Sequence, residues 1–346
     1  MRSFTLNVGI HGDSEESDDL WTTATVYLPE QLPERVTVLF GFPGGGFGRK
    51  YYDIQALPGY SQAEFHTAAG YVFVACDHLY VGDSARPEDP LALSFEDLAA
   101  ANHATAVEVI TQLRGGTLTP DVPPLEIVRT VAMGQSMGGC LLTVQQANHR
   151  TFDAVAFLGW SGIFTNFPTP EGGRDILPLP PRGTDMHPIA DAVLGVVSPD
   201  VDQFRFCFHW PDVEPSLLAA DIDSYRPFSD VVRGDEASPW GSATTPPCAL
   251  TMMTEGAVSA EAAAIDVPVL VACGERDVVP DPWAEPSAYR SSADVSVAVI
   301  PRMAHMHNFA STRERLWDRI AAFAETVPPS ATLPLERQET AELPVG

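Results

Sequence analysis

The pentapeptide Gly134-Gln135-Ser136-Met137-Gly138 constrains this chain more than any other stretch. It follows an apolar run at residues 127–133 and precedes a helix-like run at 137–147. Glycines two positions before and after a serine, at a strand-to-helix turn, have a steric rationale. The turn is sharp enough to strain the serine backbone, and side chains at the flanking positions collide unless they are absent. Such a turn holds the serine hydroxyl above a strand end, at a helix N-terminus whose dipole favours developing negative charge. Ser136 is therefore a candidate nucleophile.

The rest of the chain supplies a setting for that turn. Strand-like runs at residues 4–8 and 23–28 read as an antiparallel pair, followed by strands at 36–40, 71–76, 127–133 and 152–158. Between them fall helices at 62–69 and from a Ser94/Asp97 capping box to Leu113, where Gly115-Gly116 ends the run. After residue 264 the alternation resumes with a strand at 267–272, a helix at 282–289 and a strand at 295–300. Ser311 and Glu314 are expected to cap a last helix through about residue 325. This alternation predicts an α/β fold: a mostly parallel sheet with helices on both faces, and ligands bound beyond the carboxyl ends of its strands.

The rhythm breaks between residues 161 and 264, which are rich in proline, acids and aromatics. The expected organisation is a core of residues 1–160 and 265–327, an inserted cap at 161–264 and a proline-rich tail at 328–346. Among the cap aromatics are Phe164, Phe167, Phe204, Phe206, Phe208, Trp210, Tyr225, Phe228 and Trp240. Most are expected to form the cap's own core, the remainder an apolar pocket. His187 and His209 lack metal-ligand spacing and read as surface or packing residues.

A serine hydroxyl needs a base, and the base needs a carboxylate to hold it. The strand at 267–272 exits into Cys273-Gly274-Glu275-Arg276-Asp277, and the strand at 295–300 into Pro301-Arg302-Met303-Ala304-His305-Met306-His307. Asp277 and His305 are 28 positions apart, enough for one crossover and one strand. They follow Ser136 in the order Ser, Asp, His. Glu275 and Asp281 remain alternatives for the acid, and His307 for the base. An oxyanion also needs donors. The Met137 backbone N–H is one, and the loop Gly44-Gly45-Gly46 after the strand at 36–40 is placed to supply the other.

The glycine loop, GQSMG, the GERD turn and the Ala304-His305 pair together resemble the α/β-hydrolase superfamily, over residues 1–160 and 265–325. The resemblance implies a capped α/β-hydrolase fold and a Ser136–His305–Asp277 triad. Members with an HGGG-type loop are mostly carboxylesterases and lipases whose second and third glycines donate to the oxyanion, here Gly45 and Gly46. This chain carries Pro43 where that motif has histidine. Asp77-His78-Leu79-Tyr80-Val81-Gly82-Asp83-Ser84 is similar to a loop that lines the pocket mouth in capped members. The activity implied is hydrolysis of an uncharged, fairly apolar ester or lactone without a cofactor. Other triad reactions, such as C–C bond hydrolysis, amide hydrolysis, acyl transfer and hydroxynitrile cleavage, stay open, as does a non-catalytic binding relative.

Bulk properties narrow the partners. The 346 residues, 45% of them hydrophobic, suffice for a large core. A net charge of −26 disfavours nucleic acid and anionic membrane surfaces, leaving a small apolar molecule as the expected partner. Lys50 is the sole lysine. The five cysteines form no CxxC pair, which argues against a zinc site or a disulfide framework. Without a signal-like apolar N-terminal stretch or an apolar run of membrane-spanning length, a cytoplasmic location is expected.

Overall fold

The computed structural model describes residues 1–10, 20–189, 201–224 and 239–329. Eight strands form one sheet: β1 (Arg2–Gly9), β2 (Trp21–Leu28), β3 (Arg35–Phe42), β4 (Val72–Cys76), β5 (Glu126–Gln135), β6 (Ala154–Leu158), β9 (Val269–Gly274) and β10 (Val295–Ile300). Their order is β1-β2-β4-β3-β5-β6-β9-β10. β2 runs antiparallel to both neighbours, and every other pair is parallel.

The central strands are apolar on both faces, as strands covered on both sides must be. Along β3, Val36, Val38, Phe40 and Phe42 face one core and Leu39 the other. The first core is closed by helix α2 (Phe95–Gly115) through Leu98, Val109 and Leu113, and by α3 (Met137–His149) through Leu141 and Val144. The second is closed by Ala63 of α1 (Gln62–Ala68) and by Leu316, Ile320 and Phe323 of the last helix, Arg313–Thr326. The Ser94/Asp97 capping box is present, and Gly116 ends α2 in the left-handed conformation, φ 65°.

Two local expectations need correction. Residues 282–289 make no α-helix, only turns around a 3₁₀ segment at Glu285–Ser287. Pro286 lacks the N–H that a helix would need in its interior. The last helix is capped at Thr312 rather than Ser311, with no side-chain cap. The Ser311 hydroxyl instead donates to Asp212 Oδ2 at 3.0 Å.

Residues 161–264 leave the sheet between β6 and β9. Their described part holds a two-stranded ribbon, β7 (Phe167–Pro168) and β8 (Arg174–Asp175), then helices α4 (Val201–Phe208), α5 (Pro215–Ser224) and α6 (Ser259–Ala264). Tyr225, Phe228 and the tail from residue 330 lie outside the described residues. Because β3, β4, β5, β6, β9 and β10 are parallel, the loops after them all open on one sheet edge. That edge collects the glycine loop, residues 77–84, Ser136, Gly159, Asp277 and His305.

Candidate active site

Ser136 caps α3 with φ 53° and ψ −117°, a backbone conformation that non-glycine residues rarely adopt. The crowding around it explains its neighbours. A Cβ on Gly134 would lie 2.7 Å from Gly139 N, and one on Gly138 would lie 2.7 Å from Pro43 O. The Ser136 N–H donates to Leu158 O at 2.9 Å, fixing the turn to the end of β6. The serine side chain is partly exposed and has no hydrogen-bond partner among the described residues.

On the other side of Leu158 and Gly159 stands a buried pair. His305 Nδ1–H donates to Asp277 Oδ1 at 2.6 Å, with both residues 2% exposed. A Cβ on Gly159 would touch both, 3.0 Å from Asp277 Oδ1 and 3.0 Å from His305 Nδ1. Asp277 also accepts from Val278 N on Oδ1 and Gly274 N on Oδ2, each at 2.8 Å. A second imidazole completes its shell: His307 Nε2–H donates to Oδ2 at 2.7 Å, while His307 Nδ1 is buried without a partner among the described residues. Burial by itself would raise the carboxyl's pKa, but the two imidazoles outweigh it and hold Asp277 well below the usual carboxylate range. Glu275 is exposed and accepts from Arg302 N, and Asp281 accepts from Trp283 N. The structure brings neither to an imidazole.

Gln135 is a member of this cluster that the sequence did not single out. Its Nε2 donates to His305 O at 3.1 Å and lies 3.4 Å from His305 Nε2, the nitrogen left as acceptor when Nδ1 carries the proton. Its Oε1 packs against Gly44 without a hydrogen bond.

The glycine loop lies across the serine. A Cβ on Gly44 would stand 3.1 Å from Ser136 Cβ, and one on Gly45 would stand 3.8 Å from Met137 Sδ. The amides of Gly44, Gly45 and Met137 have no acceptor among the described residues. The Gly46 amide differs: it donates to Thr245 Oγ1 at 3.0 Å. Beneath the loop, His78 Nε2 donates to Pro43 O at 3.0 Å, while its Nδ1 meets the Asn102 amide. Asp77 binds the Arg49 guanidinium and, at 2.6 Å, the Arg49 N–H. Asp77, His78, Leu79, Tyr80 and Val81 are all buried. Ser84 is buried too, whereas Gly82 is half-buried and Asp83 exposed.

Described residues of the 161–264 segment bond to this cluster from several sides. His305 N and Met306 N donate to Cys207 O and Phe208 O, at 3.3 and 2.8 Å. The Phe208 ring stands edge-on to His305 with centroids 4.9 Å apart. Arg276 lies over Phe206 and Trp210, and Arg174 donates to Asp277 O at 3.0 Å. His209 bonds Asp221, which also accepts from Trp240, and His187 meets Asp89 and Asp185. Among the described residues no group of three or more His, Cys, Asp or Glu is disposed to hold a metal ion. All five cysteines are buried free thiols.

No protein-family model matches the chain, and no curated protein matches it in sequence. Solved structures do match in shape. An esterase from Thermogutta terrifontis superposes with a TM-score of 0.60 at 14% identity, over 94% of this chain and 99% of its own. A proline iminopeptidase from Mycobacterium smegmatis gives 0.59 at 16% identity, over 93% and 98%. A bromoperoxidase from Bacillus anthracis gives 0.59 at 14% identity, over 93% and 100%. The chain has the α/β-hydrolase fold. In α/β-hydrolase terms, the strand-to-helix turn at Ser136 lies at the carboxyl edge of the sheet, where ligands of parallel sheets bind. No described helix is long and apolar enough to cross a membrane.

Proposed function

We propose that this chain is a serine hydrolase that cleaves an uncharged, fairly apolar carboxylic ester or lactone through an acyl-enzyme. The observation that supports this best is the buried His305–Asp277 pair, 2.6 Å apart and packed on Gly159, the residue after the Leu158 carbonyl that holds the strained Ser136 turn. In this reading Ser136 Oγ attacks the carbonyl carbon and His305 Nε2 takes its proton, then returns it to the leaving alcohol. Asp277 holds the imidazole and stabilises its protonated form. Met137 and Gly45 amides, both without another acceptor among the described residues, receive the oxyanion. Gly46 serves the same loop through its bond to Thr245. The Phe208 ring beside His305 favours an apolar acyl or alcohol group. Residues 161–264 act as the cap over this edge.

A panel of p-nitrophenyl esters of increasing acyl length, with matched amides, tests the reading. Ester turnover is expected to exceed amide turnover, and Ser136→Ala should lower kcat by about 10⁶. A fluorophosphonate should label Ser136 alone. Full ester turnover by Ser136→Ala, or absence of labelling, refutes the proposal.

A further inference from the structure

The segment at residues 240–245 forms a clasp on the glycine loop. Gly48 N donates to Trp240 O at 3.0 Å, Phe47 and Gly241 form an antiparallel bridge, and Ser242 N donates to Gly46 O at 2.9 Å. The clasp also reaches the loop after β4. Gly82 N donates to Ser242 Oγ at 2.9 Å, and the Thr244 hydroxyl donates to Tyr80 O. At its end stands Thr245. Its methyl group lies 3.5 Å from the position of a Cβ on Gly45, and Met137 Sδ and Cβ lie 3.8 and 4.0 Å from the same point. Thr245 and Met137 therefore meet at Gly45, beside the two amides assigned above to the oxyanion.

The Thr245 hydroxyl is half used. A hydroxyl has one proton to give and two lone pairs to accept with. Here it accepts the Gly46 N–H at 3.0 Å, and its own proton has no acceptor among the described residues. Accepting that N–H polarises the O–H and makes it a better donor. We propose that Thr245 is a catalytic residue, giving the tetrahedral oxyanion a third hydrogen bond alongside the Gly45 and Met137 amides. The inference rests on the serine-hydrolase reading. The amide that a glycine-rich loop would offer directly is passed on through a side chain from residues 161–264. No proton is transferred: the hydroxyl keeps its hydrogen and shortens its contact as negative charge builds on the substrate oxygen.

Thr245→Val keeps the shape but can neither accept nor donate; Thr245→Ser keeps both functions. Two rates are measured for each: kcat on a p-nitrophenyl ester, and phosphonylation of Ser136 by a fluorophosphonate, whose P=O oxygen occupies the oxyanion position. Thr245→Val should lower both by about 10², the scale of one lost oxyanion donor, with KM within about threefold. Thr245→Ser should retain both within about fivefold. If Thr245→Val melts early, Thr245→Ala repeats the comparison in a smaller side chain. Serine and valine variants falling equally would reduce Thr245 to a loop anchor and overturn the proposal. So would near-normal rates in Thr245→Val while Ser136→Ala is inactive, a result that leaves the serine reading intact. No labelling of the wild-type protein at Ser136 defeats the serine reading itself, and this proposal with it.

Discussion

Asp277→Asn tests the carboxylate at the centre of the site. Asp277 accepts four hydrogen bonds on two oxygens: Val278 N–H and His305 Nδ1–H on one, Gly274 N–H and His307 Nε2–H on the other. An asparagine has one accepting oxygen and two protons to give, so each orientation sets its NH₂ against one backbone N–H. With the NH₂ toward Val278, His305 must move its proton to Nε2, aiming it at the Gln135 amide 3.4 Å away. With the NH₂ toward Gly274, only His307 must change tautomer, and its Nδ1 has no partner to lose. The second orientation therefore wins, and His305 keeps the productive tautomer. What disappears is the negative charge facing the imidazolium. Two unit charges about 4 Å apart at an effective dielectric constant of about 20 interact by about 4 kcal/mol, or about 10³ in rate. The expected loss in kcat is thus about 10³, short of the roughly 10⁴ that a wrong tautomer brings. The opposed backbone N–H should also cost about 2 kcal/mol of stability. Ester kinetics and urea unfolding read both quantities, with Glu275→Gln and Asp281→Asn as near-normal controls. A loss below tenfold would refute the role of Asp277, and an equal loss in Glu275→Gln would transfer it.

Three further outcomes follow from the packing. Gly138→Ala should cost at least about 3 kcal/mol, because its Cβ meets backbone at Phe42 and Pro43; an unchanged urea midpoint would contradict the crowding argument. His103 and His149 stack with centroids 4.5 Å apart, and burial, then the charge of His149, lowers His103 to about 4. The unfolded chain therefore takes up this proton first as pH falls. Stability should be full above about pH 6.5 and decline by about 3 kcal/mol on approach to pH 4; His103→Gln should flatten that slope, and identical slopes would rule the pair out as its source. Asp77→Ala leaves the buried Arg49 guanidinium with Asp83 as its remaining ion-pair partner, at an expected cost of about 3 kcal/mol. A urea midpoint equal to wild type would refute that estimate.

Much of this arrangement is legible in the sequence because its signals are local. The Ser136 turn announces itself through glycines two positions away, and Asp277 and His305 each follow an apolar run that becomes β9 or β10. Spacing alone leaves His305 and His307 open, and the fold shows why: both reach Asp277, on opposite oxygens. The expected helix at 282–289 fails because Pro286 withholds a donor in mid-run. Gln135 gives no signal beyond its place next to Ser136. Thr245 gives none at all, since its partner Gly46 is 199 positions away and nothing periodic marks the residues between. Contacts made across such separations follow from the three-dimensional path of the chain, not from composition or repeat.

The hydrogen bonds from residues 240–245 to the glycine loop bear on how such a protein can diversify. Where a lid is merely draped over a reaction centre, it can be exchanged wholesale, and selectivity drifts while chemistry stays intact. On the cap reading proposed above, the covering segment is here stitched to the glycine loop beneath it. A chimera carrying a foreign lid would inherit a loosened glycine loop along with its new preferences. Under that reading, altered substrate preference in this protein should come through point substitutions on the cap's inner lining, with the hydrogen bonds of residues 240–245 left in place.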